Sequence, residues 1–317
     1  MEAIDTKVEL QAQIAWLYYI GNLTQQDIAK KLGMSRPTVQ RFLNLAIENG
    51  IVQVKIDHTA TTCMDLAKRL KDRFHLAECE VAPVDEATVG QVDRLIAMSS
   101  GRFLEQTLRA IGIHGIALGT GRAIRSMCHG VSRHHLKNFK VVSLAGTVAS
   151  DGSFNRYDAS LSLAEKTDGK YFILSIPLVA EDVHDREYWY ASRTYTRQLS
   201  NYADCHTAFI GVGWVGEDCS LVQDGFIDNA AARQLVEQGA VCDVLGWVLD
   251  GEGRLLNQPI NDCITSFKQS ILAQRPVIGV AGGVHKHAAI LAALRGGWLK
   301  GLITDQHTAE FLLNSKT

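Results

Sequence analysis

From Cys63 onward the chain alternates short apolar runs with longer amphipathic stretches, and few folds accommodate that rhythm. A helical pattern at 63–75 leads to Glu78-Cys79-Glu80-Val81-Ala82, and a second at 91–111 leads to Gly115-Ile116-Ala117-Leu118-Gly119. Further apolar runs lie at 139–144, 171–176, 206–212, 241–249, 276–280 and 298–303, with helical segments between most of them. Strand, helix and strand in repeated order predict an α/β domain: a doubly wound, Rossmann-like parallel sheet covered on both faces.

The residues before it read differently. Val8, Ala12, Ala15, Trp16 and Tyr19 mark one face of a first helix. Thr24 is suited to cap a second, with Asp27 reaching back as a short-armed capping box. Ile28, Ala29 and Leu32 follow at helical spacing, and Gly33 supplies the left-handed residue that ends it. Ser35 caps a third helix with Pro37 in its first turn, and Val39, Phe42 and Leu43 face inward. Two short helices joined by a glycine turn form a helix-turn-helix, whose second helix enters the DNA major groove. Arg36, Thr38, Gln40 and Arg41 are the expected base readers, with Ser35 and Lys31 on phosphate and Pro37 at the helix entrance. Residues 28–47 carry Lys30, Lys31, Arg36 and Arg41 and no acid, in a chain of net charge −2. An ordinary helical hairpin of a bundle would not require that local charge. The alternating run Ile51–Ile56 predicts a small wing, with Lys55 as a further phosphate contact, and the polar stretch 57–62 predicts a boundary. The expected domains are therefore a DNA-binding head at 1–57 and an effector-binding and oligomerisation domain at 58–317.

In open parallel sheets ligands bind beyond the carboxyl ends of the strands, where this chain places its glycines. The loops are Gly119-Thr120-Gly121-Arg122, Ala145-Gly146-Thr147, Gly211-Val212-Gly213-Trp214 and Ala281-Gly282-Gly283-Val284-His285-Lys286. The first and last run into helices, whose N-terminal amides attract anions. Tight strand-to-helix turns also use glycine, so no single loop is specific. Lys286 stands in the first turn of a helix, where a cation opposes the helix dipole, and this favours an anion beside it. Arg122 has the same logic. Asp243, within the apolar run Val241–Leu249, is costly to bury without a partner, and a sugar hydroxyl is a natural one. Asp250 reads as a turn residue, while Asn155 and Trp214 are secondary candidates. The expected effector-binding set is thus Gly119, Thr120, Gly121, Arg122, Gly146, Thr147, Asp243, Gly282, Gly283 and Lys286.

Other classes are disfavoured. The chain is 46% hydrophobic and 21% charged, with no apolar run long enough to span a membrane. Its N-terminus lacks a basic region followed by an apolar one, so a cytoplasmic protein is expected. Seven scattered cysteines without a C-x-x-C pair suggest reduced thiols, and neither His134-His135 nor His285-x-His287 has ligands at metal-binding spacing. No metal and no cofactor are expected. A dinucleotide fingerprint fails because Ile124 stands where its third glycine belongs.

The order of these parts resembles the SorC family of bacterial transcription regulators, the DeoR-type sugar-binding regulators. The resemblance rests on Leu23–Ala29 and Ser35–Val39 at the head, Val241–Gly246 late in the chain, and Val280–Gly283 with Lys286 near the end. It implies an effector domain similar to ribose-phosphate isomerase and glucosamine-phosphate deaminase, a dimer or tetramer on operator DNA, and a phosphorylated sugar or polyol-derived effector. The early glycine loop and the late Gly-Gly-x-x-Lys stretch would then lie near the phosphate. Family members often carry a hydroxyl residue after Gly-Arg, whereas this chain has Ala123, which leaves open an unphosphorylated ligand or a phosphate held by Thr120. The expected function is a DNA-binding regulator of a carbohydrate or polyol catabolic operon, not an enzyme. The alternative is a sugar-phosphate isomerase or deaminase carrying a DNA-binding head, for which Asp243 is the one nameable general base.

Overall fold

The computed structural model describes residues 2–52, 59–85, 88–148 and 158–316. They belong to two compact units, Met1–His58 and Thr59–Thr317.

The smaller unit contains α1 (Glu2–Tyr19), α2 (Gln25–Leu32) and α3 (Arg36–Glu48). Its helix boundaries follow the expected chemistry. Thr24 accepts from the Asp27 amide at 3.3 Å and donates to the Asp27 carboxylate at 2.6 Å, so the acid closes the cap on the hydroxyl rather than on the backbone. Gly33 has φ 65° and donates its N–H to Ala29. Ser35 accepts from the Thr38 amide at 3.3 Å. Ile14, Ile28, Val39, Phe42 and Leu43 form the buried centre. The face expected of α1 is corrected: Val8, Ala12, Trp16 and Tyr19 are exposed, and Gln11, Ile14, Ala15 and Leu17 pack inward. Apolar residues encircle α1, so periodicity alone did not select its buried side. Ile51 and Val52 form a bend, and the rest of the expected wing, with Lys55, lies outside the described residues.

The larger unit opens with α4 (Thr59–Phe74), β1 (Glu78–Ala82), α5 (Val92–Leu108), β2 (Gly115–Leu118), α6 (Arg122–His129), β3 (Lys140–Ser143), α7 (Ser160–Thr167) and β4 (Lys170–Phe172). It continues with α8 (Val183–Ala191), α9 (Arg193–Ala203), β5 (Thr207–Gly211), β6 (Gly213–Trp214), α10 (Ser220–Gln223), α11 (Asn229–Glu237), β7 (Cys242–Val244) and β8 (Trp247–Leu249). The last elements are α12 (Pro259–Cys263), α13 (Gln269–Leu272), β9 (Val277–Val280), α14 (His287–Arg295), β10 (Gly301–Asp305) and α15 (Gln306–Asn314). Thr59–Thr62, expected as a breaker, instead supply the first turn of α4.

Seven strands pair in the order β1-β10-β9-β5-β2-β3-β4, all parallel. Both faces are covered. One core layer includes Leu70, Val142, Ile210 and Leu302, and the other Leu104, Ile116, Phe209 and Ile303. Chain order places the crevice: after β2 the chain passes to β3 and β4 at one edge, whereas after β5 it passes to β9 and β10 toward the other. Loops leaving β2 and β5 therefore part between these neighbours, which is a topological switch point.

One expected strand is corrected. Val241–Leu249 does not join the parallel sheet but folds into the β7–β8 hairpin, which pairs with β6 in a separate antiparallel sheet. Leu245 and Gly246 both have positive φ, 54° and 88°, as a two-residue hairpin turn of this hand requires. Buried Asn261 holds the hairpin, accepting from the Val248 amide at 2.8 Å and donating to the carbonyls of Val248 at 2.8 Å and Leu256 at 2.7 Å. Asn261→Ala would strand these groups and should destabilise the protein by about 2–4 kcal/mol, read as a lower denaturant midpoint at unchanged slope.

Candidate functional site

The exposed face of α3 carries Arg36, Pro37, Gln40, Arg41 and Asn44. Its opposite face is fixed by burial of Val39, Phe42, Leu43 and Ala46, so helical spacing alone turns the two arginines outward. Arg41 lies over the Phe42 ring at 5.5 Å. Lys31 is exposed at the end of α2. Ser35 and Thr38 are engaged with one another, their hydroxyls 2.7 Å apart, in addition to the cap. Thr38 is half-buried and therefore sits differently from the other expected readers. Asn44, one turn beyond Gln40, is on this face; sequence reasoning missed it because base readers are expected at the N-terminal end of a recognition helix.

In the larger unit, the switch-point crevice is lined by two connected lobes that share Arg122, Ala123 and Lys286. The narrow lobe, of about 90 Å³, takes Thr120 and Gly121 from the loop after β2, Gly213 and Trp214 from β6, Asp243 from β7, and Gln223 and Asp224 from the segment ending α10. The wide lobe, of about 380 Å³, takes Arg125 and Ser126 from α6, Asp93 from the first turn of α5, and Gly282 and His285 from the loop after β9.

Each cation has a structural reason to face this space. Gly121, with φ 126°, precedes α6 and offers no side-chain cap, so the first-turn amides of α6 are left for another acceptor. Arg122 opens that helix and donates to Gln223 at 3.2 Å. Lys286 immediately precedes α14, against its dipole. Burial holds its ammonium below the ordinary lysine range; Arg122 adds to this, while Asp93 and Asp243 oppose it. The Asp243 carboxyl is pushed up to about 6, chiefly by burial and further by Asp224, against the lowering effects of the Gly246 amide and Lys286. Its Oδ1 accepts from Gly246 at 2.9 Å. Its Oδ2 lies over Gly213, where a Cβ would come within 2.6 Å, so only glycine admits the carboxylate there.

The structure thus brings Thr120, Gly121, Arg122, Asp243, Gly282 and Lys286 to one crevice and separates four other expected residues from it. Gly119 is buried beneath the hairpin, where a Cβ would meet Leu245 at 2.7 Å. Gly146 packs against the Pro177 backbone, and buried Thr147 donates to the Leu174 carbonyl at 3.1 Å. Gly283 turns its amide away, donating to Asp305 at 2.8 Å and to Thr308 at 3.1 Å. Asn155 lies outside the described residues. Asp250 makes the expected turn, accepting from the amides of Glu252 and Arg254 at 2.9 Å. Sequence reasoning missed Gln223, Asp224 and Asp93, none of which follows a parallel strand directly. Among the described residues no cluster of metal-ligating side chains occurs, and no helix is long and apolar enough to cross a membrane.

Because the Asp243 pKa is raised in the folded protein, the folded state holds this proton more tightly than the unfolded chain does. The associated stability is present below about pH 4 and is lost as the pH rises toward 6. Asp243→Asn should therefore gain stability relative to the wild type as the pH is raised from 4 to 7, in paired denaturant titrations; a difference constant with pH would contradict the raised carboxyl pKa.

Residues 58–314 match the Sugar-bind family, described as "Putative sugar-binding domain", and residues 5–55 match a homeodomain-like helix-turn-helix family. The erythritol catabolism regulatory protein EryD of Brucella abortus (strain 2308) is 28% identical over 309 residues, covering 98% of each chain. The transcriptional regulator LsrR of Escherichia coli (strain K12) is 29% identical over 313 residues, covering 97% of this chain and 95% of its own. The fold is shared with the full-length sorbitol operon regulator SorC from Klebsiella pneumoniae, with TM-score 0.71 and 24% identity over 97% of this chain and 99% of that one. The chain belongs to the Sugar-bind family and, with its helix-turn-helix head, to the SorC/DeoR-type sugar-binding transcriptional regulators.

Proposed function

We propose that this protein is a cytoplasmic, homo-oligomeric transcription regulator of a carbohydrate or polyol catabolic operon, switched by a small phosphorylated sugar or polyol bound in the crevice. The observation that carries this reading is the convergence of Arg122, Lys286 and Asp243 on one crevice at the switch point of a chain that begins with a helix-turn-helix. A phosphate suits the wide lobe, between the uncapped first turn of α6 and the side chains of Arg122, Arg125, Ser126 and Lys286. Ala123 supplies no hydroxyl there, but the α6 amides need none. Sugar or polyol hydroxyls suit the narrow lobe, donating to Asp243 and exchanging bonds with Gln223. Relatives named for erythritol catabolism and as a deoxyribonucleoside regulator support ligands of this general class.

The alternative, an isomerase or deaminase with a DNA-binding head, would use Asp243 as its base. The relatives matched along nearly their whole length are named regulators, and the regulatory reading requires no bond to be broken. Acids and bases balance over residues 1–57, so one head has little net attraction for DNA and affinity rests on pairing heads in a dimer or tetramer.

Arg36→Ala and Arg41→Ala should each weaken binding to a selected operator duplex by about 1–3 kcal/mol, measured by fluorescence anisotropy at fixed salt. Retention of full affinity by the double variant would sink the assigned recognition helix. Lys286→Met should keep operator affinity while losing the rise in melting temperature that sugar and polyol phosphates give the wild type. A melting shift with the unphosphorylated compounds alone would remove the phosphate from the reading, and turnover of any compound would revive the enzyme.

A further inference from the structure

The surface of the head carries a side-chain arrangement that the arginine-centred reading does not use. Gln25, the first residue of α2, donates through Nε2 to Oε1 of Gln40 on α3, and Gln40 donates through its own Nε2 to Oδ1 of Asn44 at 2.9 Å. Three amides from two helices form a ladder on the face that also carries Arg36 and Arg41. Gln40 and Asn44 are exposed, and Gln25 is half-buried at the helix junction. Core packing does not demand the ladder, because Ile28, Val39, Phe42 and Leu43 already hold α2 against α3.

Counting donors and acceptors gives the ladder a chemical reading. A glutamine amide has two N–H donors and two acceptor lone pairs. Gln40 commits one lone pair to Gln25 and one N–H to Asn44, which leaves one N–H and one lone pair. Reversing all three amides exchanges the partners but leaves the same remainder. One donor beside one acceptor is the complement of the adenine major-groove edge, N7 accepting and N6 donating, and it does not match the two acceptors of guanine.

We infer that Gln40 reads an A·T base pair in each operator half-site, and that Gln25 and Asn44 are positioning residues that fix the plane of its amide. The arginines grip guanine or phosphate elsewhere in the half-site, so Gln40 governs one position of sequence preference. Pre-orientation matters because a free glutamine side chain loses rotamer freedom when it docks, whereas one already held at both ends loses less. This inference rests on the DNA-binding reading of the head, and its test separates the two.

The full-length protein is used to select duplexes from a random-sequence pool, and the selected site is then varied one base pair at a time. The wild type should require A·T at one position per half-site, with replacement by G·C costing roughly 5- to 150-fold in affinity. Gln40→Ala should lose that preference and keep the others. Gln40→Glu, which can only accept, should shift it toward C·G, a change that a merely structural glutamine would not produce. Gln25→Ala should retain the adenine preference but shrink the discrimination several-fold. A Gln40→Ala profile that still demands the same A·T pair, or that falls equally at every position, would overturn the ladder while leaving the regulator intact. Failure of the wild type to enrich any sequence would overturn the DNA-binding reading and this inference with it.

Discussion

A parallel sheet delivers every strand end to the same edge, and that constraint organises the larger unit. Loops after β2, β5 and β9 must meet there, and the chain must part between β2 and β5 because its connections run to opposite edges of the sheet. The opening is therefore a consequence of topology before any side chain is considered. The β6–β8 sheet then closes over it, as Leu245 at the hairpin tip packs above Gly119. The glycines fall into two kinds. Gly119 and Gly213 admit another group where a Cβ would collide, whereas Gly121 adopts a positive φ that leads the chain into α6.

The charges in this crevice are held at a cost. Lys286 stands at the wrong end of α14, and burial disfavours its charged form; burial likewise disfavours the ionised form of Asp243. Each partly supports the other, and Arg122 and Asp224 each bear on a neighbour of their own sign. Such a set gains little for the stability of the fold, because desolvated ions regain their hydration energy only with well-placed partners. The proposed ligand, an anion carrying hydroxyls, would supply both needs at once. Asp305 takes the Gly283 amide and so removes that one donor of the glycine loop, while the uncapped α6 amides, Arg122 and Lys286 face the crevice.

Helix boundaries in the head were legible because each is written in a single local residue: Thr24, Gly33, Ser35 and Pro37 behave as their intrinsic chemistry dictates. The central parallel strands β2, β5, β9 and β10 were legible because burial on both faces makes them largely apolar. The same uniformity concealed the hairpin, since Val241–Leu249 reads as one buried run and Leu245, a residue with no preference for positive φ, stands at its turn. The inward face of α1 was concealed for a related reason, as its apolar residues lie on more than one side. Lys286, Arg122 and Asp243 could be nominated because each defies its surroundings. Gln223 and Asp93 could not, because a polar residue at an exposed-looking position carries no signal until the fold brings a cavity to it. Gly146 and Thr147 show the converse: a glycine loop after a strand can be filled by the backbone of a neighbouring segment, here residues 174–177.

An effector can change DNA affinity only through a difference in how it binds two states of the protein, so its site must be joined to something that moves as a unit. Asp305 provides a join at atomic scale. Its carboxylate receives the Gly283 amide from the loop that ends in Lys286, and it also caps α15 through the Thr308 amide at 3.0 Å and hydroxyl at 2.5 Å. α15 in turn packs on α4, where Arg73 donates to the carbonyls of Leu313 and Ser315. α4 is the first element of the larger unit after residues 53–58, the covalent connection to the head. On the proposed reading, a phosphate drawing on Lys286 would load a hydrogen-bonded chain that runs through Asp305 and α15 to α4. A buried carboxylate that accepts three hydrogen bonds is stiff, since breaking any one of them strands a polar group. Stiffness is what a small displacement needs if it is to leave the crevice undiminished.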